Sequence, residues 1–274
     1  MKNKLKTILF FSIALIFSDI YAKPDITQIH SLQSKYLKKI TDVIDKDTIV
    51  LITIDDNFVL PKAAMFNHKL HNNFITNLVR KAEKNPHYLT IVTNWYAQRK
   101  IKLVEDGWPE FIESLKEKGA TVYGICVMPI ALKNIEQHRL SELKQLGINF
   151  SEKINDKKVV DIKDVRGWKS MFYHGIIFTG RLNKIQPFID LIKVTNIDPK
   201  KIVIFDNNRR DLTYMGKSMM VFNMWFYGVD YQAISKIKVK PDLNIVKFQQ
   251  KQLIYQGKWY EDDVAKTMLL EKNK

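Results

Sequence analysis

The stretch that decides the fold runs from Thr48 to Pro61 and reads T-I-V-L-I-T-I-D-D-N-F-V-L-P. Five of its first seven residues are Ile, Val or Leu and the other two are Thr, the composition of a strand buried on both faces. It runs straight into Asp55 and Asp56 and leaves through Asn57 toward Pro61. In open α/β sheets, ligands bind just beyond the carboxyl ends of the strands. Carboxylates at that place suit metal or phosphoryl chemistry. They also suit a plain turn or helix N-cap made by Asp56 and Asn57. What the rest of the chain brings to the same edge decides between the two.

Outward from this strand, the pattern alternates strand and helix. Upstream, Pro24 to Ile44 has helical spacing, with Ile29, Leu32, Tyr36, Leu37 and Ile40 on one face. Downstream, Lys62 to Ile101 is mainly helical, with Phe66, Leu70, Phe74, Leu78 and Val79 spaced by threes and fours, and reads as an insert over the strand ends. Inside it, His68-x-x-His71 lacks the third ligand that a metal site needs, and Trp95 and Tyr96 read as packing residues. Trp108-Pro109 opens the next helix, Gly119 closes it, and Ala120 to Val127 is a second apolar strand. A helix over Leu132 to Leu146 stops at Gly147, and polar Asn149 to Lys169 reads as a surface loop or ribbon. Gly175 to Gly180 brackets a short strand, Lys184 begins a helix, and Lys201 to Phe205 is a buried strand running into Asp206-Asn207-Asn208. Ser218 to Trp225 reads as a fifth strand, and a helix follows Asp262. The alternation predicts an α/β fold: a doubly wound, mostly parallel sheet with helices on both faces.

With 274 residues and 46% hydrophobic content, the chain can bury one full core. Residues 1–22 have the layout of a signal peptide: Lys2, Lys4 and Lys6, an apolar run from Thr7 to Phe17, and a cut after Ala22. The other reading of this segment is an uncleaved anchor, for which the run is short. The expected location is therefore periplasmic or secreted, with no transmembrane helix in the mature chain. Without that segment the chain keeps 41 basic and 28 acidic residues, a formal charge of +13. Such a balance favours anionic partners, whether phosphorylated small molecules or an anionic surface. The lysines are scattered and carry no specific nucleic-acid signature. Cys126 is the only cysteine, so no intramolecular disulfide forms.

Four features fall at or beyond strand ends: Thr53/Asp55, Cys126, Lys184 and Asp206-Asn207. Together with the joints DGWPEFIESLKEKGATVYGI, HGIIFTG and DPKKIVIFDNN, they make the chain resemble the haloacid dehalogenase (HAD)-like superfamily of phosphohydrolases. Within it, the likeness is to an exported bacterial branch of uncharacterised function (DUF2608-like). The resemblance implies a Rossmann-like HAD sheet over 23–274, with a small helical cap insert at about 62–106. It also implies an aspartyl-phosphatase site read from four ordered motifs. In the first, Asp-x-Asp-x-Thr, the leading Asp attacks phosphorus and the second is the general acid/base. Aligned by the strand and Leu60-Pro61, Thr53 takes the nucleophile position and Asp55 the acid/base position. A frame shifted by two makes Asp55 the nucleophile. The second motif's Ser/Thr is replaced by Cys126, a poorer donor, and the third motif's lysine is Lys184. The fourth motif's Mg²⁺ ligands map to Asp206 and Asn207, with Asp211 as a substitute acid.

These departures matter chemically. A Thr hydroxyl is a weak nucleophile without an activating base and does not ligate Mg²⁺ as a carboxylate does. Losing a carboxylate at Thr53 and another at Asn207 weakens the hold on Mg²⁺. The expectation is a degenerate phosphatase-like site that binds a phosphorylated or anionic ligand through Asp55, Asp56 and Lys184, with little or no turnover. Two rivals stay open: an active Mg²⁺-dependent phosphomonoesterase, and a basic secreted interaction protein without a small-molecule site.

Overall fold

A computed structural model describes residues 23–67, 73–82, 84–128, 132, 134–164, 167–180 and 182–272. The expected signal peptide, Leu70 and the His68/His71 pair lie outside the described residues. Ten strands and nine α-helices follow one another among the described residues. The strands are β1 (Asp25–Ile29), β2 (Thr48–Thr53), β3 (Val59–Pro61), β4 (Ile101–Leu103), β5 (Thr121–Cys126), β6 (Val159–Lys163), β7 (Lys169–Tyr173), β8 (Ile176–Phe178), β9 (Lys201–Asp206) and β10 (Trp225–Tyr231). The helices are α1 (Lys35–Asp42), α2 (Phe74–Ala82), α3 (Pro86–Gln98), α4 (Trp108–Glu117), α5 (Ile135–Gln145), α6 (Gln186–Thr195), α7 (Arg209–Val221), α8 (Leu243–Gln256) and α9 (Asp262–Lys272).

Eight strands form one sheet in the order β1-β10-β9-β2-β5-β8-β7-β6. The pairs from β1 to β8 are parallel, and β7 and β6 add an antiparallel edge. All six residues of β2 are buried, as a strand with neighbours on both edges and layers on both faces requires. Alternate residues feed two cores. Val50, Ile52, Val122, Val203 and Phe205 pack with α1, α4 and α5, while Leu51, Tyr123, Ile125, Ile202 and Ile204 pack with α6 and α7. Truncating a central residue such as Leu51 to Ala would cost about 2–5 kcal/mol. From β2 the chain passes to β5, goes on to the far edge at β6 and returns through β7 to β8, then crosses to β9 on the other side of β2. Such a reversal opens a crevice at the strand ends.

Two stretches differ from the sequence expectations, and a third resolves an open choice toward a ribbon. The helical reading of Pro24 to Ile44 holds only from Lys35, where Ser34 caps α1 by accepting from the Tyr36 N–H. Asp25–Ile29 is instead an edge strand, because parallel pairing with β10 overrides its local spacing. The first half of the expected fifth strand at Ser218 to Trp225 is the end of α7, and a turn follows it. Asn208 caps that helix by accepting from Arg210 and Asp211, and Leu212, Met215 and Met219 keep helical spacing into the core. The strand starts only at Trp225, after a left-handed Asn223 at φ 56°. The polar segment Asn149 to Lys169 contains β6, which joins the main sheet through β7.

The segment after β2 positions the site. β3 and β4 pair antiparallel, with Pro61 opposite Ile101, so the chain leaves and returns at one point. Between them lie α2 and α3. The start of α9 fastens this segment: Asp262 accepts from the Ala64 N–H at 2.8 Å and Glu261 from the Lys100 N–H at 2.8 Å. No helix among the described residues is long and apolar enough to cross a membrane.

Candidate functional site

Parallel pairing brings the carboxyl ends of β2, β5 and β9 to one edge. Ile52 is in register with Phe205 and Thr53 with Ile125, so Thr53, Cys126 and Asp206 end their strands side by side. The Thr53 hydroxyl donates to Asp206 Oδ2 at 2.5 Å, and both residues are buried. Lys184 Nζ donates to the same oxygen at 2.7 Å and lies 3.0 Å from Asp211 Oδ2. Asp206 Oδ1 accepts the Asn208 N–H at 2.8 Å. Burial alone would lower the Lys184 pKa, but Asp206 and Asp211 reverse this and hold it above its ordinary value. Lys184 is therefore a fixed ammonium shared by two acids.

Asp55 belongs to a second cluster. Its Oδ1 accepts from Arg139 Nη2 and lies 3.8 Å from Arg99 Nη2, and its Oδ2 accepts the Cys126 thiol at 3.5 Å. Glu142 completes the group, accepting from Arg99 Nε at 2.9 Å and from Arg139 Nη1 at 3.1 Å. Burial alone would raise the Asp55 carboxyl; Arg139 and Arg99 overcome it and hold the pKa below the ordinary range. An ion-paired carboxylate with a lowered pKa is a poor proton donor. The Cys126 thiol is pushed up by burial and stays protonated.

Asp56 differs from both. It adopts left-handed backbone at φ 56°, which Asp tolerates better than most residues, and its carbonyl accepts the Asn207 side-chain amide. The residue is exposed on the cavity wall, where partial desolvation, then the neighbouring Asp55 charge, raise its carboxyl to about 6. Asn57 is structural: buried, it donates to the Thr53 carbonyl at 2.8 Å and ties the ends of β2 and β9 together.

A cavity of about 340 Å³ opens over this edge. Thr53, Asp55, Asp56, Lys184, Asn207 and Asn208 line its polar side. Phe66, Trp95 and Tyr96 line the side built by the β3–β4 segment, where the Arg99 guanidinium carbon sits 4.6 Å from each of the Trp95 and Tyr96 ring centres. Of the residues named from sequence, Thr53, Asp206, Lys184 and Asp211 form one contact group, and Asp55 and Cys126 another. The sequence reading missed Arg99, Arg139 and Glu142. The only signal for them was the Arg139-x-x-Glu142 spacing on one helix face. Trp95 and Tyr96 pack as expected and also face the cavity.

The donors do not fit Mg²⁺. That ion takes six oxygens in a strict octahedron, whereas both Asp206 oxygens and one of Asp211 already accept from internal donors. Asn207 donates its amide to the Asp56 carbonyl. Among the described residues no group of three or more His, Cys, Asp or Glu is arranged to hold a metal.

Residues 26–265 match the model of the family described as "Protein of unknown function (DUF2608)". The chain is also similar to the uncharacterized protein RP296 of Rickettsia prowazekii (strain Madrid E), 35% identical over 245 residues that span 88% of this chain and 89% of the relative. No solved structure matches.

Proposed function

This chain belongs to the DUF2608 family, and we propose that it is an exported, HAD-like protein whose phosphatase site no longer turns over and binds a phosphorylated or other anionic ligand instead. One observation carries the reading. A hydroxyl stands at the end of β2 where an attacking carboxylate would be, and it is engaged in donating to Asp206. Its oxygen faces no free base, because the nearest carboxylate is already shared with Lys184. Lys184 has three N–H donors and directs two at Asp206 and Asp211, which leaves one for a ligand oxygen at the cavity floor. The helical segment between β3 and β4 acts as the cap of this site.

The active-phosphomonoesterase rival uses either Asp55 or a water as nucleophile, and the Arg139 contact argues against the Asp55 route, since it engages the oxygen that would have to attack. The test is hydrolysis of 4-nitrophenyl phosphate with and without Mg²⁺ by the purified protein. Turnover no greater than that of buffer is expected. Wild-type turnover abolished by Asp55→Asn would sink the proposal. Measurable affinity for inorganic phosphate that Lys184→Ala removes would separate it from the interaction-protein rival.

A further inference from the structure

The protein carries a formal charge of +15, yet its cavity sits over a region of opposite sign. Three cations, Arg99, Arg139 and Lys184, face five carboxylates, Asp55, Asp56, Asp206, Asp211 and Glu142. Four of the five have a cationic partner in direct contact. Among the described residues the Asp56 carboxylate has neither an ion pair nor a hydrogen bond, and it lines the cavity. Its backbone carbonyl accepts the Asn207 side-chain amide. Phe66 lines the same cavity, and an aromatic face beside a carboxylate is a setting that attracts a ligand cation, whereas the Trp95 and Tyr96 faces already carry the Arg99 guanidinium. A purely anionic ligand reaching Lys184 would add negative charge to an existing excess. A ligand bringing its own cation would not.

We infer that the cavity takes a small soluble phosphomonoester that also carries an ammonium group, its phosphate toward Lys184 and its ammonium toward Asp56 and Phe66. This rests on the reading that the pocket binds a phosphate-bearing ligand, and it adds the charge that such a ligand must also carry. A volume of about 340 Å³ suits a compound of that size.

Calorimetric titration of the full chain tests it with three probes: phosphocholine (both charges), glycerol phosphate (anion alone) and choline (cation alone). Phosphocholine should bind at least about tenfold more tightly than glycerol phosphate, the equivalent of one favourable charge contact. Asp56→Asn, which keeps the left-handed backbone accessible, should collapse that ratio toward unity, with circular dichroism confirming the fold. Equal affinity for phosphocholine and glycerol phosphate overturns the inference and leaves the phosphate-binding reading standing. Choline binding as tightly as phosphocholine overturns both, as does silence from all three probes. Binding confined to phosphatidylcholine vesicles would assign the headgroup to a membrane lipid and overturn the soluble monoester.

Discussion

Thr53 and Asp206, 153 residues apart in the chain, meet through a 2.5 Å hydrogen bond in which the threonine donates. The bond ties β2 to the end of β9 and closes the Asp206 carboxylate against Lys184 on one oxygen and the Asn208 amide on the other. It makes the floor of the cavity a self-satisfied polar network, and such networks are costly to leave incomplete.

Removing the Thr53 donor should therefore destabilise the protein more than an ordinary hydroxyl loss. Thr53→Val keeps the shape and leaves Asp206 one donor short, at a cost of about 1–3 kcal/mol. Thr53→Ser should recover most of it. Urea denaturation midpoints of the three proteins give the comparison, and equal midpoints for Val and wild type would contradict the network.

Placing a carboxylate at this position should create a requirement for a cation. Thr53→Asp sets a second negative charge against buried Asp206, with Lys184 already shared by Asp211. The variant should melt lower than wild type, and millimolar Mg²⁺ should raise its Tm while leaving the wild-type Tm unchanged. A Mg²⁺ response in wild type would show that the native donors do hold the metal.

Asp56 should give the protein a distinctive pH dependence. Its folded pKa of about 6 lies above the ordinary 3.8, so the folded state binds this proton more tightly than the unfolded chain does. Below pH 3.8 both states are protonated and the group contributes nothing adverse. As pH rises through 3.8 toward 6, the unfolded chain ionises first and folding loses stability, and above 6 the loss is complete. Asp56→Asn should thus match wild type near pH 3.5 and exceed it at pH 8 by about 1 kcal/mol, a size already reduced for solvent in the cavity. Thermal melts across that range check both the sign and the window.

Arg139 should be a stability residue rather than a ligand contact. It is fully buried between Asp55 and Glu142. Arg139→Met leaves the half-buried Asp55 with only the more distant Arg99; a fully buried pair broken on one side costs about 3–5 kcal/mol, and solvent at Asp55 brings this loss to the lower end of that range. Adding Asp55→Asn to that variant should restore part of the loss. A double-mutant cycle with no coupling would refute the ion-pair assignment.

The buried run before Asp55, the glycine-ended helices and the apolar strands near Cys126 and Asp206 were legible in the sequence, because burial and capping are written in near-neighbour patterns. So was the meeting of Thr53, Lys184 and Asp206, which follows once parallel strands are assumed to end at one edge. The end of α7 was not legible: Met219 to Trp225 is apolar enough for either state, and the Asn208 cap with packing of Met215 and Met219 decides it. Nor was the role of Asp55. Its acidity depends on Arg99 and Arg139, which lie 44 and 84 residues away and reach it only when α3 and α5 dock over the strand ends. Local chemistry chose the elements and placed acids at the strand ends; long-range ion pairing, strong only where burial removes water, decided which of those acids are held by cations.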